Sequence, residues 1–232
     1  MSNYVALDIG NVLCRINLVN FINVLSKTLN ISILDAEHRI NRYQKMHDVG
    51  LFSIRDILES EFGIKSKVII DELSNEWKDI VKFDIATLDY FHDFNLKYEL
   101  RIALLSNIGF EHAEFIRPFL NKYNSTFEEA IEFFSCNVGV RKPNYLYFQS
   151  FLQQCPDFEG CVYVDDREEN IETSKLFNFK PYKFDLNNIH CSPEVLAPSQ
   201  FFINSVGLKN ELDKIGELIL DSSKPSINSR WH

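Results

Sequence analysis

No apolar run in this 232-residue chain approaches the roughly 20 residues that a membrane-spanning helix needs. Met1 to Leu13 lack a basic flank and carry Asp8 within their apolar stretch, which is not the pattern of a secretory signal. Cysteine is sparse: Cys14, Cys136, Cys155, Cys161 and Cys191 are an odd number at irregular spacing, without a CxxC pair. Neither a disulfide framework nor a zinc site is expected, and reduced thiols in a cytoplasm are. Basic charge is in deficit, with 24 Lys and Arg against 33 Asp and Glu and a net charge of −9. That balance argues against sequence-independent nucleic-acid binding and against attraction to an anionic membrane. Internal repeats, low-complexity tracts and Pro/Gly-rich linkers are also missing.

What is present is a 45% apolar composition, ample for a packed core and incompatible with wholesale disorder. The length suits one domain with an insertion, or two small domains. Abundant Phe and Tyr, 20 and 9, are expected to fill that core. An acidic protein that handles an anionic substrate must do so through a local device such as a metal ion or a helix terminus.

Tyr4 to Leu7 reads as a short buried strand running into the turn-rich Asp8-Ile9-Gly10-Asn11. From there to about Tyr98 the pattern is helical. Leu18, Phe21, Ile22, Leu25 and Leu29 recur at helical spacing, and Ser32 with Asp35 opens a helix that ends near Gly50. Ser53 with Asp56 opens another, closed by Gly63; Val68 to Val81 supplies a third, and Asp84 caps a fourth through Leu88 and Phe91. The second half alternates. Strands are expected at Arg101–Leu105, Ile131–Phe134, Cys161–Val164 and Lys180–Phe184. Helices fall between them: one to about Leu120, one starting at Pro143 and running to Leu152, and one through Ile171 to Phe177. A last amphipathic helix is expected at Leu208–Leu220. Such alternation means βα units and a doubly wound, Rossmann-like parallel sheet, an α/β fold whose first unit is split by a helical block. The expected division is a core of residues 1–14 and 86–220, an inserted α-helical cap of residues 15–85, and a flexible tail of residues 221–232.

The strand candidates end in polar residues, and in an open parallel sheet ligands bind beyond the carboxyl ends of the strands. Asp8, Ser106 and the pair Asp165-Asp166 fall there, and Lys142 precedes Pro143. Each has a bland reading: Asp166 or Ser106-Asn107 could cap the following helix, and Lys142 could be a solvated charge. Together they carry more. Three clustered carboxylates repel one another and require a cation. Lysine supplies one charge; a divalent ion on a few hard oxygen ligands supplies the rest, which points to Mg2+.

Ala6-Leu7-Asp8-Ile9-Gly10-Asn11-Val12-Leu13, Leu104-Leu105-Ser106-Asn107, Gly139-Val140-Arg141-Lys142-Pro143 and Val164-Asp165-Asp166 with Asn170 resemble the four ordered motifs of the haloacid dehalogenase-like (HAD) hydrolase superfamily. The likeness is to its small phosphatases, which include bacterial sugar-1-phosphate phosphatases, and it spans Tyr4 to about Phe184. It implies that Asp8 is a nucleophile forming an aspartyl-phosphate that water hydrolyses. It implies a magnesium ion held by Asp8, the Gly10 carbonyl and Asp166, with Asp165 positioning Lys142 or a metal-bound water. Ser106 and the Asn107 backbone would bind phosphoryl oxygens, Lys142 would neutralise their charge, and Asn170 would steady the loop or touch substrate.

One position departs from the family. Most of these phosphatases carry an acid–base aspartate two residues after the nucleophile, where this chain has Gly10. Such a group contributes about 10²–10⁴ in rate. Sugar-1-phosphate phosphatases show the same Asp-x-Gly-Asn pattern, and a good leaving group needs less protonation. The expectation is therefore a small phosphorylated substrate of that kind. A metal-independent dehalogenase and a catalytically weak phosphometabolite-binding protein are the alternatives. His47-Asp48-Val49-Gly50 reads as a helix end that could reach the organic half of a substrate. Arg15 reads as a solvated side chain or an anion contact, and the histidines, His112 among them, as surface residues.

Overall fold

The computed structural model describes residues 3–189 and 198–223; Cys191 and residues 224–232 of the expected tail lie outside the described residues. The chain begins with strand β1 (Asn3–Leu7) and the short strand β2 (Cys14–Ile16). Four helices follow, α1 (Leu18–Leu29), α2 (Ile33–Asp48), α3 (Ile54–Ser60) and α4 (Lys67–Lys78). Strand β3 (Val81–Phe83), helix α5 (Ile85–Tyr98), strand β4 (Leu100–Ser106) and helix α6 (Phe110–Leu120) come next. Strand β5 (Ile131–Phe134) leads to α7 (Ser135–Val138), α8 (Tyr145–Gln154), β6 (Val162–Asp165), α9 (Glu168–Lys175) and β7 (Lys180–Lys183). Helices α10 (Leu186–Ile189) and α11 (Pro198–Ser222) complete the described elements.

Five strands form one parallel sheet in the order β5-β4-β1-β6-β7. From central β1 the chain builds outward through β4 and β5, then returns to add β6 and β7 on the other side. The direction of winding reverses at β1, and this switch point opens a crevice between the carboxyl ends of β4, β1 and β6. The two-residue period of the strands sorts their side chains between two cores. Val5, Leu7, Ile102, Leu104, Val162 and Val164 enter one, which continues into the helical block. Ala6, Ala103, Leu105 and Tyr163 enter the other, filled by Phe148, Phe151 and Phe179.

The helix starts follow side-chain chemistry. Ser32 accepts from Asp35 N, Ser53 and Asp56 form a reciprocal capping box, and Asp84 accepts from Thr87 N. Four expectations shift. Cys14–Ile16 pairs antiparallel with Val81–Phe83, a small ribbon within a stretch expected to be helical almost throughout. Pro143 precedes α8 rather than opening it, because the Asn144 side chain accepts from Leu146 N and sets the helix start at Tyr145. The final helix is longer than Leu208–Leu220, and residues 221–222, assigned to the tail, belong to it. His112 is buried rather than on the surface, and its Nε2 donates to the Trp77 carbonyl at 2.7 Å. Among the described residues no helix is long and apolar enough to cross a membrane.

Candidate active site

The crevice at the switch point is a cavity of about 210 Å³ whose floor is made by the strand ends. Asp8 follows β1, Ser106 ends β4, Asp165 ends β6 and Asp166 comes next in the chain. Asp8, Asp165 and Asp166 each bring a carboxylate oxygen within 4.8 Å of the others. Lys142 reaches them from the loop before α8 and is fully enclosed. Its Nζ lies 2.5 Å from the Leu105 carbonyl, 2.7 Å from Asp165 Oδ2 and 3.1 Å from Asp8 Oδ1. A lysine ammonium has three protons, so three oxygens of fixed position leave it no freedom to swing.

The supporting contacts are equally specific. Asn107 clamps the Lys142 backbone, accepting its N–H at 2.8 Å and donating to its carbonyl at 2.9 Å. Asn170 Nδ2 donates to both oxygens of Asp165, at 2.9 and 3.0 Å, and Tyr163 adds its hydroxyl. Asn11, in the left-handed region with φ 55°, donates from Nδ2 to Asp166 Oδ2 at 2.9 Å. The capping readings fall away here: α9 is preceded by Arg167 and α6 by Gly109, neither making a side-chain cap bond.

Electrostatics follow from the enclosure. Burial, opposed by Lys142 and reinforced by Asp165 and Asp166, pushes the Asp8 carboxyl up to about 7. Burial also acts to raise Asp165, but the Lys142 ammonium outweighs it and holds that carboxyl below its ordinary range. With all three carboxylates ionised, one lysine would leave two negative charges uncompensated, and burial together with that mutual repulsion pushes Asp8 and Asp166 up. An all-oxygen donor set with that excess fits a divalent hard cation, so the residues present suit magnesium.

A roof faces this floor. It is built from the end of α2 (His47, Asp48), from α4 (Trp77), from the loop between β4 and α6 and from the loop between α7 and α8, which brings Arg141. Arg141 Nη2 meets Asp48 Oδ2 at 3.1 Å, and His47 Nε2 lies 3.2 Å from Glu111 Oε2. Burial opposes charge on His47, but Asp48 and Glu111 outweigh it and push its pKa up to about 9. Glu111 is correspondingly lowered to about 2 by His47, its own N–H and the Ile54 N–H, against burial. His112 behaves oppositely: burial drives it down to about 4, so it stays neutral.

Every residue expected at the site is at this crevice or bonded to its floor: Asp8, Gly10, Ser106, Asn107, Asp166 and Asn170 line the cavity, and Asp165 and Lys142 lie beneath. Arg15 does not; it pairs with Asp84 at 3.7 Å. His47 and Asp48 prove to be walls of the cavity rather than a plain helix end. Trp77, Arg141 and Glu111 carried no expectation. A signal for His47 existed, because Ala36, Ile40 and His47 share the buried stripe of α2 at spacings of four and seven.

A doubly wound parallel sheet with a helical insertion after its first strand and an acidic cluster at its switch point is the haloacid dehalogenase-like fold, and the chain has it. Among solved structures it is similar to a HAD family enzyme from Bacteroides thetaiotaomicron in complex with magnesium and inorganic phosphate. That match has 18% identity and a TM-score of 0.66, over 85% of this chain and 100% of the other. A predicted HAD-like family hydrolase from Porphyromonas gingivalis matches at 17% identity and TM-score 0.62, over 87% of this chain and 98% of the other. The L-2-haloacid dehalogenase from Xanthobacter autotrophicus, with chloropropionic acid covalently bound, matches at 12% and 0.55, over 87% of both chains. Neither a protein-family profile nor a curated protein sequence matches the chain.

Proposed function

We propose that the protein is a magnesium-dependent phosphatase of the HAD type, acting on a small phosphorylated metabolite with a sugar phosphate favoured. The observation that carries this reading is the floor: three converging carboxylates with one enclosed lysine, at the strand ends of a fold shared with an enzyme that holds magnesium and phosphate. Asp8, the Gly10 carbonyl and Asp166 would hold the ion, with Asp165 serving Lys142. When bound, the ion shields the phosphoryl charge and sets phosphorus in line with Asp8.

Asp8 Oδ attacks phosphorus; the new P–O bond forms as the ester P–O bond breaks, and the leaving oxygen takes a proton from water or from the substrate itself. Water then attacks phosphorus, the bond to Asp8 breaks, and inorganic phosphate leaves. Ser106 and the Asn107 N–H bind phosphoryl oxygens, while Lys142 offsets the charge spreading over them. Asn170 keeps Asp165 aligned. Helices α1 to α4 act as the cap that excludes water and selects substrate. The free thiols Cys14, Cys136, Cys155 and Cys161 suit a reducing cytoplasm.

Gly10 favours the dehalogenase as a second reading, since those relatives also lack the second aspartate. They need no metal, and the uncompensated acidic floor weighs against them. A screen of phosphorylated metabolites with magnesium or with a chelator separates the readings. Metal-dependent phosphate release, abolished by Asp8→Asn, is expected; chloride release from a 2-haloacid without metal would overturn the proposal.

A further inference from the structure

The three carboxylates of the floor are not held alike. Asp165 accepts from Lys142 Nζ, Asn170 Nδ2, the Tyr163 hydroxyl and the Arg167 N–H. Asp8 Oδ1 accepts from the Ile9 N–H at 2.8 Å and meets the Lys142 ammonium at 3.1 Å. Among the described residues, Asp166 has one hydrogen-bond donor, Asn11, whose Nδ2 lies 2.9 Å from Oδ2. The aim of this third carboxylate thus depends on a single side chain.

Asn11 is itself fixed from several sides. Its N–H donates to the Cys14 carbonyl at 2.6 Å, its carbonyl accepts from Leu186 N at 2.9 Å, and its Oδ1 accepts from Ile16 N at 3.3 Å. Cys14 and Ile16 belong to β2, one half of the ribbon through which the helical block joins the sheet. The backbone sits at φ 55°, a conformation that glycine adopts most easily and asparagine more easily than most other residues. Glycine would make the same turn, so what asparagine adds is the bridge from Ile16 to Asp166.

We infer that Asn11 is the positioning residue for Asp166, and that through it the affinity of the acidic floor for a divalent cation is tied to the seating of β2. The inference rests on the magnesium reading of the floor and names a residue that reading leaves without a role. The two oxygens of a carboxylate share one carbon and one plane, so a bond that fixes Oδ2 fixes Oδ1 with it. Without the Asn11 donor, Asp166 is free to turn about its Cβ–Cγ bond, and binding a cation must then stop that motion. Groups that orient a metal ligand in this way are worth about 10–100-fold in metal affinity. Linkage makes the effect reciprocal: a cation that orders Asp166 also orders Asn11, and so protects the Ile16 N–H behind it.

Two measurements on the full chain without substrate test this: calorimetric titration with Mg2+, and hydrogen exchange at the Ile16 amide with and without the ion. Wild type is expected to bind Mg2+ and to exchange more slowly at Ile16 when it does. Asn11→Gly keeps the left-handed turn and removes the bridge, so it is expected to bind Mg2+ about ten-fold more weakly or worse and to lose the protection of Ile16. Asn11→Ala carries the comparison if thermal unfolding without metal shows that the glycine variant has lost its fold. The exchange measurement on wild type needs no variant at all. Undiminished affinity in a folded variant, or Ile16 exchange in wild type that is indifferent to bound Mg2+, would overturn the role of Asn11 and leave the magnesium reading standing. No binding of Mg2+ by the wild-type chain would overturn that reading, and this inference with it.

Discussion

Gly109 offers a sharp probe of how the helical block meets the carboxyl end of the sheet. Its backbone is extended, with φ −78° and ψ 165°, so alanine introduces no backbone strain. The space is what forbids a side chain: a Cβ there would lie 2.1 Å from His47 Cε1 and 2.6 Å from both ring nitrogens. Gly109→Ala must therefore expel the His47 ring from its pocket. Two losses follow. Overpacking of this kind costs about 1–3 kcal/mol. Removing His47 from Asp48 and Glu111 forfeits the rise of its pKa from 6.5 to about 9, which corresponds to about 3 kcal/mol. The sign is set by linkage. A histidine whose folded value is raised contributes stability that is complete below about 6.5 and vanishes as pH climbs through 9. The variant should thus be about 4–6 kcal/mol less stable than wild type at pH 6, and only about 1–3 kcal/mol less stable at pH 10. Urea unfolding at the two pH values measures the difference. A gap that stays constant between them would show that His47 is not held as a cation by its two carboxylates.

Lys142→Met keeps the volume but leaves Asp8 and Asp165 without their cation, and should cost about 3–5 kcal/mol at pH 7. Because the Asp165 contribution exists above the ordinary value of 3.8 and disappears only as pH falls through its lowered folded value, that cost should persist in urea melts at pH 4 and shrink only in more acid ones. His112 works oppositely to His47: its folded value of about 4 lies below 6.5, so its contribution is present above 6.5 and lost as pH falls to 4. His112→Gln, which retains a donor for the Trp77 carbonyl, should flatten that acid limb in thermal unfolding from pH 7 to 4. Gly10→Asp is sterically admitted, since an added Cβ meets only Ile16 at 3.6 and 4.0 Å. It should speed poor leaving groups, by up to about 10²-fold, far more than good ones, as read from the slope of rate against leaving-group pKa; a uniform change would show that proton transfer is not limiting.

The parallel sheet and its floor were legible because each core strand is a short apolar run that stops at a polar residue, a pattern that local reading detects. Asp8, Ser106 and Asp165 are found that way. The ribbon of Cys14–Ile16 and Val81–Phe83 escaped notice because three residues are too few to display alternation, and the pairing partner lies far along the chain. The roof escaped for a different reason. Trp77 sits on a helix face whose spacing announces burial only, His112 reads as a surface residue, and the contact between them is tertiary. Arg141 stands inside a motif quoted for its neighbour, yet its own role depends on Asp48 arriving from α2. Pro143 was placed by a sound general preference that a stronger local one, the Asn144 cap, displaced.

The ribbon has one more implication. The polypeptide leaves the sheet layer along β2 and re-enters it along β3, with the Asn17 N–H bonded to the Ile80 carbonyl at 2.8 Å just beyond the paired strands. Exit and return are thus stitched side by side, and the sixty-odd residues between them form a cassette on a single stem. A change of length within that stretch is thus anchored at one closed pair of strands, and the register of the sheet beneath does not depend on it.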